Sequence, residues 1–256
     1  MKKYIFLIIT LLLLCIIVSL LCVKRESFDN MTKYCTKIIN LEVDKERLNK
    51  MSAQLDNLSI DYNVFKAVNG NDYTIDSNDE FLFQNVDFNI YEKKGVVGCF
   101  LSHVKCLEQF TKQDDKLYMV VCEDDIDIIE PKIHDYLQYI IDNIDFSIIF
   151  LSAAPNVGDS DEIMRLDNKY TLRRAYQNDK MYSQNDKMYS QGAQMYIITK
   201  SCASEFLDYF YSGKSQGAVD WELLKRTRNP MVVCPSFTKY STPEMNDSTI
   251  NKMGGH

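Results

Sequence analysis

LYMVVCEDDID, residues 117–127, is a short apolar run that stops against a row of carboxylates. From Leu117 to Cys122 there is no charge and no polar alternation, the pattern of a strand buried on both faces of a parallel sheet. In open α/β sheets ligands collect at the carboxyl ends of such strands. Here Glu123, Asp124, Asp125 and Asp127 follow at once. Clustered carboxylates repel one another unless a cation holds them. The cluster therefore suggests a hard divalent ion, Mn²⁺ or Mg²⁺, taking one or two carboxylates and completing its shell with water and phosphate oxygens. A solvated acidic turn has the same composition, and the residues alone leave both readings open.

Outward from this strand, helical and strand patterns alternate. Upstream, GVVGCFLSHVKCLEQF (95–110) opens on a glycine pair and carries Phe100, Val104, Leu107 and Phe110 along one side of a helix. Before it, YCTKIINL (34–41) reads as a buried strand. Leu48, Met51, Leu55 and Leu58 step at helical spacing behind Asp44 as a candidate cap. DYNVFKAV (61–68) is a second strand, stopped by Asn69-Gly70. Strand, helix and strand in this order predict a parallel crossover unit.

Downstream, Ile133, Leu137, Ile140, Ile141 and Ile144 predict a helix that leads to the strand FSIIFLS (146–152). Residues 153–174 look irregular, and QNDKMYS at 177–183 is repeated at 184–190, which reads as a lengthened polar loop. GAQMYIIT (192–199) predicts a strand, SCASEFLDYF (201–210) and AVDWELLKRT (218–227) helices, and MVVCPSF (231–237) the last strand. The expectation is an α/β domain with a mainly parallel sheet flanked by helices, over 33–240, with a loop or tail at 241–256.

The charge is uneven. The chain of 256 residues carries −7 overall, with 46% hydrophobic and 25% charged residues, which argues against long disorder. Residues 4–23, YIFLIITLLLLCIIVSLLCV, hold no charge, Gly or Pro, and at about 1.5 Å per residue would span the hydrocarbon layer. Lys2, Lys3, Lys24 and Arg25 flank the run, so residues 1–25 are expected to be a single-pass signal anchor, with 26–32 a short stem. A type II orientation follows, the bulk of the chain lying in the Golgi or ER lumen of a eukaryotic or virus-infected cell, or on a bacterial inner membrane. Without those four basic residues the remainder is strongly acidic, which argues against nucleic acid as a partner.

Eight cysteines include no CxxC pair, so a zinc ribbon or thioredoxin-like motif has no support. Cys15 and Cys22 lie in the anchor, and the other six are expected to be buried thiols. Candidate N-glycosylation tripeptides begin at Asn30, Asn57 and Asn246. Three histidines leave little for a His-rich metal site.

Two further carboxylates stand at the start of a predicted helix. Asp220 reads as an N-cap or as a catalytic acid, and Glu222 could face the same cleft. Ser102 and His103 are adjacent on a helix and so poorly placed to act as nucleophile and base. GxSxG, Walker, GxGxxG and HExxH patterns are absent, which disfavours hydrolase, kinase and dehydrogenase chemistry.

Taken together these segments resemble glycosyltransferase family 25, the lipopolysaccharide and procollagen galactosyltransferase type. The resemblance rests on Ile39, Asn40, Leu41 and Arg47; on Ala67, Val68 and Gly70; and on Gly95, Gly98, Cys99, Ser102 and His103. It continues through Glu123, Asp124 and Asp125; Gly192, Tyr196, Ile197 and Ile198; Val219 and Asp220; and Ser248 and Ile250. Ala218 stands where the family often has proline.

The resemblance implies a GT-A-like fold, a UDP-sugar donor (often UDP-galactose), a divalent metal and inversion at the anomeric carbon. It places the metal on Asp125 with Glu123 or Asp127, and Asn40, Arg47, Ala67 and Gly70 on the uridine side. Ser102, His103 and Asp124 complete the donor site, with Asp220 as catalytic base and Glu222 in reserve. The acceptor would be a hydroxyl of a glycan, a lipid-linked sugar or a protein. A catalytically inactive relative, serving as a membrane-tethered scaffold or glycan binder, is the competing reading.

Overall fold

Two adjacent strands inside the sheet are apolar on both faces, and their side chains show why. The computed structural model describes residues 32–72, 94–113, 115–152, 162–175, 193–215 and 218–241. In chain order these form β1 (Tyr34–Asn40), α1 (Lys45–Asn57), β2 (Asn63–Lys66), α2 (Lys94–Gln113), β3 (Tyr118–Glu123), β4 (Ile126–Ile128) and α3 (Ile133–Asn143). There follow β5 (Ile148–Phe150), β6 (Glu162–Arg165), β7 (Thr171–Arg174), β8 (Met195–Thr199), α4 (Lys200–Tyr211), α5 (Val219–Arg226), β9 (Met231–Cys234) and β10 (Thr238–Tyr240).

Eight strands make one sheet in the order β2-β1-β3-β8-β5-β9-β7-β6, and β4 pairs with β10 in a separate ribbon. Alternate residues of β3 and β8 serve opposite cores. Met119, Val121, Tyr196 and Ile198 pack with Phe100, Leu107, Phe206 and Phe210 of α2 and α4. Val120, Cys122, Met195 and Ile197 pack with Met51 and Leu55 of α1 and with Leu137 and Ile140 of α3. Helices thus cover both faces, and β3 is buried on each side as its sequence predicts.

The expected parallel bias is corrected. Pairs β1–β2, β1–β3 and β5–β9 are parallel. Pairs β3–β8, β5–β8, β6–β7 and β7–β9 are antiparallel, so the sheet is mixed. The reason is physical: an apolar run buried on both faces carries no mark of its direction, so MYIIT and YMVVC look alike whichever way they run. The parallel crossover read from residues 34–68 does form, as β1–α1–β2.

Two other readings are corrected. Within the stretch read as irregular, Glu162–Arg165 and Thr171–Arg174 form a hairpin. Its strand at the sheet edge is largely exposed and shows no clear alternation, and its turn is held by Asp167 Oδ1, which accepts from the Lys169 and Tyr170 amides at 2.6 and 2.7 Å. MVVC is not the last strand either, because β10 follows and pairs with β4.

The chain divides into two units, Met1–Lys33 and Tyr34–His256. The apolar run at 4–23, the QNDKMYS repeat and the tail beyond 241 lie outside the described residues. Among the described residues no helix is long and apolar enough to cross a membrane. The six cysteines of the described residues are all free thiols.

Candidate active site

Register alone brings the motifs together. Ile39 stands opposite Glu123, and Asn40 opposite Lys66, so the carboxyl ends of β1, β2 and β3 open side by side. A cleft of about 90 Å³ lies there, lined by residues of all three strand ends, by Asp44 and Arg47 at the start of α1, and by Gly95, Cys99, Ser102 and His103 of α2. Glu123, Asp124 and Asp125 form its acidic wall, and Ala67, Val68 and Gly70 border it on the other side.

The small residues are required by close packing. A β-carbon on Gly98 would stand 2.7 Å from both the Gly70 nitrogen and the Val68 carbonyl oxygen, and one on Gly70 would fall 1.7 Å from the Lys94 carbonyl oxygen. Ser102 Oγ accepts from the Val68 amide at 2.8 Å and donates to the Gly98 carbonyl at 2.6 Å. Ser102 therefore pins the loop after β2 onto α2. It borders the cleft, but its hydroxyl is spent on backbone, which sets it apart from the donor-binding role expected of it.

The three consecutive acids have different surroundings. Asn40 Nδ2 donates to Asp124 Oδ2 at 2.5 Å, and Arg47 Nη1 lies 3.8 Å from Asp124 Oδ1. Burial pushes Asp124 up to about 6, against the pull of Asn40 and Arg47. Asp125 is pushed up to about 7 by burial and by the charges of Glu123 and Asp124, and its Oδ1 is buried without a hydrogen-bond partner. An unpaired buried carboxylate oxygen beside two more carboxylates suits a hard cation, because the one nearby positive charge, on Arg47, offsets only part of the repulsion. The donor set present therefore fits a divalent ion.

Glu123 is held from behind. His103, fully buried, places Nε2 3.0 Å from Glu123 Oε1 and Nδ1 3.0 Å from the Tyr196 hydroxyl. Cys99 Sγ points at the same Oε1 from 4.0 Å. Among the described residues no hydrogen bond reaches Oε2. Cys99, His103 and Glu123 present ligand atoms within 4.8 Å of one another. As arranged, the thiol and the ring both serve as donors to one carboxylate oxygen, so they hold Glu123 rather than a cation. Burial, then the charges of Glu123, Asp220 and Asp125, push the Cys99 thiol well up, which keeps it protonated.

Of the expected residues, Asn40, Asp127, Asp220 and Glu222 do not line the cleft, although Asn40 reaches it through Asp124. Asp127 Oδ1 lies 2.7 Å from Lys50 Nζ and accepts from Ser241 Oγ at 2.8 Å. Burial works against its charge, but these contacts outweigh it and hold the carboxyl below its usual range. In β4, two residues past Asp125, it is already committed to a salt bridge. Glu222 is fully buried, with Arg226 Nε at 3.5 Å, and its charge acts on Tyr209. Two residues along a helix turn a side chain by about 200°, so Glu222 faces away from Asp220.

Asp220 does not cap α5, since Ala218 holds that position and no side chain caps it. Its Oδ1 accepts from the Trp221 amide at 2.9 Å, and its charge reaches the Cys99 thiol at the cleft wall. The contributions of Cys99 and Tyr196 to the site come from helix and sheet neighbours far apart in sequence. The only signal for them was membership of the shared motifs.

The mixed α/β sheet thus carries an acidic cleft at the carboxyl ends of β1, β2 and β3. The chain belongs to glycosyltransferase family 25: the pattern of that family, described as glycosyltransferase family 25 (LPS biosynthesis protein), matches residues 34–221. It is a glycosyltransferase by that membership. A crystal structure of a glycosyltransferase involved in the glycosylation of the major capsid of PBCV-1 is similar at a TM-score of 0.34 and 7% identity, over 86% of this chain and 97% of that one. No curated protein matches the chain at a significant level.

Proposed function

We propose that this glycosyltransferase moves a sugar, galactose first among the candidates, from a UDP-sugar to a hydroxyl of a glycan, lipid-linked or protein acceptor, with inversion and with Mn²⁺ or Mg²⁺ in the cleft. The observation that carries the reading is Asp125 Oδ1, buried and without a partner beside Glu123 in the cleft wall. Asp125 and Glu123 would hold the ion. The chemistry an ion would supply there is neutralisation of the charge that would develop on the UDP leaving group.

The chain's own groups do the rest. Arg47 adds fixed positive charge at the cleft, and with Asn40 it holds Asp124 in place. Ile39, Leu41, Ala67 and Val68 offer an apolar wall suited to a base and ribose. Asp220 takes the proton of the acceptor hydroxyl as it attacks. Residues 4–23 tether the domain as a type II anchor, on the strength of their length and apolarity.

The test uses the full-length chain in detergent with Mn²⁺ and a panel of UDP-sugars, reading UDP release. Release from UDP-galactose that stops with a chelator is expected. Release from another UDP-sugar alone would overturn the choice of galactose. No release from any of them would overturn the donor class.

A further inference from the structure

We infer that Tyr196, His103 and Glu123 form a positioning relay: the Tyr196 hydroxyl sets the His103 tautomer, and the ring N–H locks one oxygen of Glu123, so that the other is the one offered to the cleft. The inference rests on the proposed cation site and concerns what orients it.

The argument is one of hydrogen accounting. An ionised carboxylate only accepts, so Nε2, 3.0 Å from Glu123 Oε1, must carry a proton. The opposite tautomer would point a nitrogen lone pair at a carboxylate oxygen. His103 is fully buried, and burying a cationic ring against a single carboxylate oxygen is costly, whereas a neutral ring satisfied at both nitrogens leaves nothing unpaired. In the neutral ring Nδ1 is bare and must accept, and the Tyr196 hydroxyl stands 3.0 Å from it. Tyr196 therefore donates. Its ring also stacks on the imidazole at a centroid distance of 5.8 Å and an interplanar angle of 27°, which fixes the plane of the ring.

The three members come from β8, α2 and β3, so the relay sets the Glu123 carboxylate from the rigid core rather than from the acidic turn. Cys99 approaches the same Oε1, so among the described residues Oε2 accepts no hydrogen bond, and Glu123 lines the cleft. Partners that orient a metal-binding group are typically worth roughly 10- to 100-fold in metal affinity.

Mn²⁺ binding to the full-length protein, without donor, is measured by the electron paramagnetic resonance signal of free Mn²⁺. Tyr196→Phe and His103→Leu are expected to weaken binding roughly 10- to 100-fold. His103→Gln, which keeps an N–H near the Nε2 position, should recover most of the loss. Long-range ¹H–¹⁵N spectra, with His103 assigned by its loss in His103→Gln, should show a neutral Nε2–H ring that becomes a tautomer mixture in Tyr196→Phe.

Wild-type Mn²⁺ affinity in Tyr196→Phe together with an unchanged His103 spectrum would overturn the relay, as would a doubly protonated ring in the wild type. If His103→Leu fails to fold, Tyr196→Phe and the spectra still decide. Asp125→Asn separates the two failures: normal Mn²⁺ binding in that variant refutes the cation site, while the spectra continue to report on the relay.

Discussion

Gly98 of α2 approaches Gly70 so closely that an added β-carbon would stand 2.7 Å from the Gly70 backbone nitrogen. The contact is backbone against backbone, so no flexible side chain can yield. Gly98→Ala should destabilise the domain by about 1–3 kcal/mol, as overpacking does elsewhere, and urea denaturation reads it. Unchanged stability would mean that the loop after β2 shifts freely.

Ser102 supplies the buried acceptor for the Val68 amide. Ser102→Ala leaves that N–H unsatisfied, at a cost of about 1–3 kcal/mol. Because Val68 lines the cleft, the KM for donor should rise more than kcat falls. A loss confined to kcat would point instead to a direct chemical role.

Asp124 and Asp125, raised to about 6 and about 7, keep protons in the fold that the unfolded chain releases near pH 4. The folded state binds more protons across this window, so the contribution of these groups to stability falls as pH rises from about 4 to about 7. Asp125→Asn should remove most of that slope. The variant should be more stable than metal-free wild type at pH 8, by on the order of 2 kcal/mol, yet release no UDP. Thermal melts at pH 5 and pH 8, with and without Mn²⁺, check both halves. A variant less stable than wild type at pH 8 would contradict the account of the shift.

Asp127 is bound to Lys50 and Ser241 on the partly exposed side of β4. Asp127→Asn should cost about 1 kcal/mol or less and leave UDP release within about twofold. Loss of turnover as deep as in Asp125→Asn would restore Asp127 to the metal site.

Asp220 and Glu222 should separate cleanly. Asp220→Asn is expected to lower kcat by about 10²- to 10⁴-fold with little change in stability. Glu222→Ala removes the buried partner of the partly exposed Arg226 and should cost about 1–3 kcal/mol in denaturant unfolding, with the kcat of the folded fraction kept. A reversed pattern would exchange their roles.

β1, α1, β2, α2 and β3 were legible because each has a clear period or is bounded by turn residues, whereas the three-residue β4 is too short to show one. Leu48, Met51 and Leu55 mark a helix, and Leu117 to Cys122 a buried strand. The acidic cleft was legible for the same reason, since strand ends in α/β sheets are where ligands gather. Glu222 lies outside the cleft because a step of two residues along a helix reverses the side chain, so nearness to Asp220 in sequence does not give a shared face.

What the amino-acid sequence determined by itself is local: the helices and the apolar strands, that an acidic triplet closes a buried strand, and which family the chain resembles. Tertiary structure alone decided the direction of β8, the hairpin at residues 162–174, and the different fates of Glu123, Asp124, Asp125 and Asp127. Those four carboxylates have the same intrinsic chemistry. Their roles differ because Asn40, Arg47, Lys50, Ser241 and His103 reach some of their oxygens and leave one buried oxygen of Asp125 unmatched. Such pairings join residues tens of positions apart, and only the register of the strands and the packing of α1 and α2 bring them within hydrogen-bond range.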